Sequence, residues 1–376
     1  MGMTRRRHTW AAGMVLALAG LAAARRVVCR IGVACRVAVA ASMVVLFGAT
    51  VLAAPQPQRV ERVDVVRVIV DARVVDHTGR PILGLAPGDF DVRIDGQQVR
   101  VESAQWIGGE VPRSSRRPST NVAGTLEPVV RGQLIVFVVQ KSLQADRLLG
   151  LLRVLQESER LLAWLTPDDR VAVLSFDSHL KIWLDFTGDL DRVRRVLADE
   201  VMFGTPIPIE PGRGLSLVAG LSQEVGRATY AIEDALRLLG NALEPLPGSK
   251  SVVLIGHGFG QFTVTLGMVG AVLDKRYAEA RAALHAARAA VFCLDVSDVD
   301  YHTFEHGLET VAVETGGFFA RTHRFARRAI DRVANALVGH YVLLVEQPDV
   351  APGSHRIEVE LVRRQGSVFA RNSYVD

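Results

Sequence analysis

Between residues 302 and 306 the chain reads His302-Thr303-Phe304-Glu305-His306. In this H-x-x-E-H order, two imidazoles one helical turn apart can bind zinc, and the glutamate is placed to act as general base. Asp295, Asp298 and Asp300 lie just upstream. A peptidase of this kind takes a third ligand from a glutamate far downstream, and little chain follows His306. The plainer reading is a partly exposed helix start, with Asp298 or Asp300 near its positive end. A second candidate, Gly256-His257-Gly258-Phe259-Gly260, has the glycine density of a phosphate loop. It lacks both the third glycine of G-x-G-x-x-G and the lysine of a P-loop. No G-x-S-x-G elbow occurs, and Ser142 has no His and Asp in a matching order. Cys293 sits in the apolar run Ala289 to Leu294 and reads as a small buried side chain, not a reactive thiol. Zinc hydrolysis is therefore the one enzymatic reading on offer, and no organic cofactor is implied.

The elements that would position these groups fall into distinct stretches. The chain has 376 residues, 49% hydrophobic and 22% charged, enough for two domains and too apolar to be disordered. Its net charge is +4, yet the first 53 residues hold seven arginines and no acid. Removing those seven from the 44 basic residues leaves 37 against 40 acidic ones, so a nucleic-acid surface is not implied. Two apolar stretches, Thr9 to Ala24 and Val37 to Ala54, fill this basic leader. The second has a signal peptide's basic flank, apolar core and small-residue end at Ala53-Ala54. Each is near the lower limit of the roughly 17–25 residues that span a bilayer, so an anchor retained through residues 9–54 is the other reading.

Residues 60–107 are β-rich, with Asp95-Gly96 as a hairpin signal between alternating runs, Phe90 to Ile94 and Val99 to Trp106. Residues 108–131 are polar and rich in breakers and read as a linker. From 132 to 338, short continuous apolar runs alternate with helical periods. The expected helices lie near 146–165, 189–199, 229–243, 268–289, 303–315 and 324–338, with a loop over 204–226. Continuous apolar strands between helices imply an α/β fold, a doubly wound and mostly parallel sheet covered on both faces. Residues 340–376 return to strands. Neither β segment has enough strands alone, so 60–107 and 340–376 are expected to pair into one smaller all-β sandwich around the inserted α/β domain.

Several strings, in this order, resemble one family: Asp71 to Leu85 with Thr78-Gly79-Arg80-Pro81, Gly88-Asp89-Phe90, Asp168-Asp169-Arg170 through Phe176-Asp177, Thr315-Gly316-Gly317-Phe318, and Ala370 to Tyr374. They are similar to the exported bacterial von Willebrand factor A-related proteins, and the likeness covers nearly everything after residue 60. The resemblance implies a von Willebrand A-type sheet and a metal-dependent adhesion site on its carboxyl rim. That site is built from Asp-x-Ser-x-Ser after the first strand, a Thr from a later loop and an Asp after the fourth strand. Here the first element aligns with Gln140-Lys141-Ser142-Leu143-Gln144, and His257 stands at the second acid's place. The threonine is Thr229, although Tyr230 fits the spacing equally well. Both carboxylates are lost, and with them the charge that offsets stripping water from a divalent ion. No bound metal is expected. The resemblance implies a non-enzymatic module outside the cytoplasm, periplasmic, secreted or anchored. Its rim, with Gln140, Ser142, Gln144, Thr229 and His257, would contact a protein or cell-envelope partner. The alternative is a zinc-dependent hydrolase using the string at 302–306.

Overall fold

The computed structural model describes residues 67–108, 132–212, 214–265, 268–362 and 366–375. All of them belong to the second of the chain's two compact units, Asp64–Asp376. The leader expected at 1–53 and nearly all of the linker expected at 108–131 lie outside the described residues.

The chain enters through β1 (Arg67–Val75), β2 (Phe90–Ile94), β3 (Gln97–Val99) and β4 (Val101–Gly108). Asp95 and Gly96 both take positive φ, 50° and 80°, which turns β2 back on β3 as a two-residue hairpin requires. The run expected as one strand over Val99 to Trp106 is split at Arg100. Val99 ends a strand paired with β2, whereas β4 pairs with a strand of the opposite sheet. Such a change of sheet makes the corner of a sandwich.

Next come β5 (Leu134–Gln140), α1 (Ala145–Gln156), α2 (Ser158–Leu162), β6 (Arg170–Phe176), β7 (Leu180–Thr187) and α3 (Leu190–Arg195), which runs into a π-helical turn at Val196–Glu200. The helix expected over 146–165 is broken at Glu157, whose ψ of 16° ends α1. Then follow α4 (Gln223–Arg227), α5 (Ile232–Leu243), β8 (Lys250–Gly256), β9 (Gln261–Thr265), β10 (Met268–Val272) and α6 (Lys275–Ala286). Two expectations change here. α4, capped by Ser222, forms inside the expected loop, and Met268–Val272 is a strand paired with β9 where a helix was expected from 268. The cause is legible locally: Asp274 accepts from the amides of Arg276 and Tyr277 and starts the helix there. β11 (Ala289–Asp295), α7 (Glu305–Thr315), β12 (Phe319–Arg321), α8 (Ala326–Ala336), β13 (Gly339–Glu346), β14 (Ser354–Leu361), β15 (Ser367–Ala370) and β16 (Ser373–Val375) complete the described chain.

The central sheet has six strands in the order β12-β11-β8-β5-β6-β7, parallel except for the edge strand β7. Its inner strands are buried on both faces, which is why β5, β8 and β11 carry long apolar runs instead of alternation. Ile135, Phe137 and Val139 of β5 pack under α1, α2, α3 and α8. Val136 and Val138 pack under α5, α6 and α7. Each fully buried Leu, Val or Phe in these layers contributes about 1.5–3 kcal/mol relative to exposure.

Strands from the two terminal segments interleave in two four-stranded sheets, β15-β1-β13-β4 and β16-β14-β2-β3. They share one core, in which Tyr341 makes edge contacts with Phe90 and Trp106 at 5.5 and 5.2 Å. This β part meets the α/β part at the amino ends of β8 and β11. Arg288 holds Asp71 through bonds of 2.6 and 2.9 Å, and buried Arg73 donates to Ser251 at 2.8 Å. That attachment leaves the loops that follow the parallel strands on the other end of the sheet.

Candidate functional site

The carboxyl ends of the parallel strands present Gln140, Phe176, Gly256, Asp295 and Arg321 along one rim. Strand order reverses between β5 and β8, and in open α/β sheets that reversal opens a crevice suited to ligands. Here Gln140 closes it. Its Oε1 accepts from the His257 amide at 3.0 Å and its Nε2 donates to the Gly258 carbonyl at 2.9 Å. The fit depends on Gly256, because a Cβ there would stand 2.4 Å from Gln140 Oε1. Gly258, at φ +100°, supplies the left-handed turn that brings its carbonyl round. A neutral amide with both ends committed thus occupies the place where the resemblance assigns an acid.

The other expected rim residues divide by exposure. Ser142 is partly buried, and its hydroxyl accepts from the Gln144 amide at 3.3 Å. Gln144 is exposed and opens α1, its carbonyl accepting from Arg147 and Leu148. Lys141 turns away toward Asp177, 3.6 Å distant, and lies over the Trp183 ring. Burial lowers its pKa, and Asp177 works against that shift. His257 is partly buried; burial first, then the charge of Arg147, lowers its pKa to about 4, so the ring is neutral at neutral pH. Thr229 is buried in the turn that closes α4, where its hydroxyl donates to the Val225 carbonyl at 2.8 Å. Tyr230, the other fit to the same spacing, is exposed.

The 302–306 string is only partly brought together. α7 begins at Glu305, so His302 lies in the preceding turn and the two histidines are not a helical turn apart on one face. His306 is exposed and outside the cluster, and Asp295 takes its place. Ligand atoms of Asp295, His302 and Glu305 lie within 4.8 Å of one another. All three already have partners. Asp295 accepts from the Ser297 amide at 2.9 Å and pairs with His302 at 2.9 Å, while Arg321 grips both Glu305 oxygens at 2.8 Å. Asp298 pairs with His323 at 2.7 Å, and Asp300 with Arg324. The sequence pointed to Asp295 through its place just upstream of the 302–306 string. The ion pair with Arg321, from a different strand, had no local signal.

Sequence reasoning also missed a set of exposed apolar side chains on this end of the sheet. Leu143 follows β5, Tyr230 precedes α5, Phe262 and Val264 belong to the β9–β10 hairpin, Tyr301 follows β11 and Phe325 follows β12; each is more than half exposed. The hairpin rises from the rim loop after β8 and is a two-stranded sheet by itself.

No family model and no curated protein matches this sequence. Among solved structures it is similar to a von Willebrand factor type A protein from Catenulispora acidiphila, at 11% identity over 79% of this chain and 74% of that one, with a TM-score of 0.39. It is also similar to three N-terminal domains of the type V pili tip protein Mfa5 from Porphyromonas gingivalis, at 10% identity, covering 78% and 67% with a TM-score of 0.38. A third is an aerotolerance-related membrane protein from Bacteroides fragilis, at 16% identity over 54% of this chain and 99% of that one, with a TM-score of 0.35. These likenesses concern chain architecture and carry no weight for ligand or activity.

Proposed function

We propose that the chain is a non-enzymatic, extracytoplasmic protein-binding module, and that it engages its partner through the rim loops without a divalent cation. The observation that carries this reading is the exposed apolar set Leu143, Tyr230, Phe262, Val264, Tyr301 and Phe325, on the loops and the β9–β10 hairpin at one end of the sheet. Exposed aromatic and aliphatic side chains set beside polar groups are what a protein interface uses. Ser142, Gln144 and His257 supply the polar groups, while Gln140 and Thr229 shape the loops from beneath. Export rests on the basic and apolar leader at 1–53. Among the described residues no helix is long and apolar enough to cross a membrane.

A zinc hydrolase is the second reading, and its ligand set becomes Asp295, His302 and Glu305. A dication there would have to displace the His302–Asp295 bond and share Glu305 with the Arg321 guanidinium, which weighs against it. One experiment tests the first reading. The full-length protein and a Leu143→Ser, Phe262→Ser, Tyr301→Ser variant are used as bait in an envelope extract of the source organism, with Mg²⁺ and with EDTA. The proposal expects a discrete partner held equally in both buffers and lost by a variant whose melting temperature is unchanged. Capture that needs the metal, or that ignores the three substitutions, rejects it.

A further inference from the structure

Where the rim meets the sheet edge, the turn Asp76–Arg80, the edge strand β12 and one face of α8 enclose a cleft of about 770 Å³, which Arg321 and Phe325 of the rim also line. Four of its lining residues are arginines: Arg80, Arg321, Arg328 and Arg332. The anions nearby are already taken. Asp76 Oδ1 accepts from the Thr78 amide, the Thr78 hydroxyl and the Arg80 amide at 2.6–2.9 Å, holding its own turn together. Asp331 is bound by Arg160 through three bonds of 2.7–3.0 Å, and Arg321 is committed to Glu305. Among the described residues, Arg80, Arg328 and Arg332 have no carboxylate within ion-pair distance.

Arg332 is also held in place. The Arg332 guanidinium lies over the Phe318 ring at 4.3 Å and the Phe369 ring at 5.5 Å. A Cβ on Gly79 would stand 3.5 Å from Arg332 Cγ, so the turn closes against the same side chain. Arg328 and Arg332 are four residues apart on α8, a like-charge spacing that disfavours the helix and that an anion in the cleft would relieve.

The third wall offers backbone. Among the described residues, β12 pairs only with β11. The Phe318 carbonyl accepts from the Cys293 amide at 3.0 Å and the Thr322 amide donates to the Asp295 carbonyl at 2.9 Å. Phe319 and Arg321, alternating with these along the strand, therefore turn their amides and carbonyls to the unpaired edge, and of the two Arg321 lines the cleft. The geometry points to an extended acidic peptide of a partner protein as the occupant of this cleft. Its main chain would pair with β12 and its carboxylates with Arg80, Arg328 and Arg332. A phosphate or a sulfated saccharide would meet the same guanidinium groups but leave the strand edge unused. The inference rests on the arginines and the strand edge, not on the apolar set of the rim, with which the cleft shares Phe325.

The test uses the full-length protein and a fluorescein-labelled octapeptide of alternating Glu and Val, read by anisotropy. Controls are the Gln-for-Glu analogue, an analogue N-methylated at alternate amides, and a heparin-derived oligosaccharide as competitor. Saturable binding that weakens with salt is expected, at least roughly tenfold weaker for both analogues and for the Arg328→Gln and Arg332→Gln variants. Arg332 packs on rings, so the exposed Arg328 provides a variant whose fold is not at stake. No binding, binding unchanged in Arg328→Gln, or an N-methylated peptide that binds as well as its parent while heparin competes would overturn the proposal. The last result would assign the cleft to polyanions in general.

Discussion

His340 is fully buried at the start of β13, with Nε2 2.7 Å from the Ser249 hydroxyl and Asp71 3.6 Å away. Arg73 and Arg288 face it from β1 and from the turn before β11, and burial together with these cations pulls its pKa to about 3 in spite of Asp71. The unfolded chain, near 6.5, binds the proton first, so stability falls as pH drops below that value and levels off below the folded pKa. Between pH 7.5 and pH 5 this one ring costs about 2 kcal/mol. His285 and His257, both lowered to about 4 chiefly by burial, add in the same direction. Urea unfolding of a His340→Gln variant should lose about 2 kcal/mol less over that interval than the wild type; an equal loss in the two proteins would contradict this assignment. No pattern in the sequence marks His340, because its environment is made by residues from β1, from the turn before β8 and from the turn before β11. Gln140 was legible as a place where an acid was missing. That its amide would bridge two strands required the Gly256 contact, which spacing does not show.

Among the elements, α1 lies so close to the loop after β11 that a Cβ on Gly150 would stand 1.8 Å from the Val296 carbonyl oxygen. The same contact lets the Asp298 amide donate to the Asp146 carbonyl at 2.7 Å, so the first helix and the Asp295 loop form one rigid piece of the rim. Gly150→Ala, favourable for an isolated helix, should here destabilise by about 1–3 kcal/mol or more. Thermal melting checks it, and an unchanged or raised Tm would show that the helix can move away. The central strands were readable because burial on both faces leaves continuous apolar runs such as Leu134 to Val139. The β9–β10 hairpin was not, since Met268 to Val272 continues without a break signal into true helix and only Asp274 marks the boundary. Likewise the second histidine of the 302–306 string fits zinc in spacing, but a helix starting at Glu305 turns His306 to solvent.

At the scale of the molecule, the β part sits on the amino ends of the sheet through Asp71, Arg73 and Arg288, and the rim at the other end carries exposed apolar side chains above a closed amide crevice. The alternation of strand and helix was enough to expect the doubly wound sheet, and too few strands in either terminal segment was enough to expect them together. The direction in which the β part attaches was not readable, because Asp71 and Arg288 are far apart in sequence and ordinary in composition. The claim that joins these scales is that hydrogen bonds and apolar contact replace a cation at the rim. Calorimetric titration of the full-length protein with Mg²⁺, Mn²⁺ and Zn²⁺ tests it most directly. The account predicts no saturable heat for any of the three. Stoichiometric, tight binding of one of them, abolished by His302→Ala, would contradict it and place the metal on Asp295, His302 and Glu305.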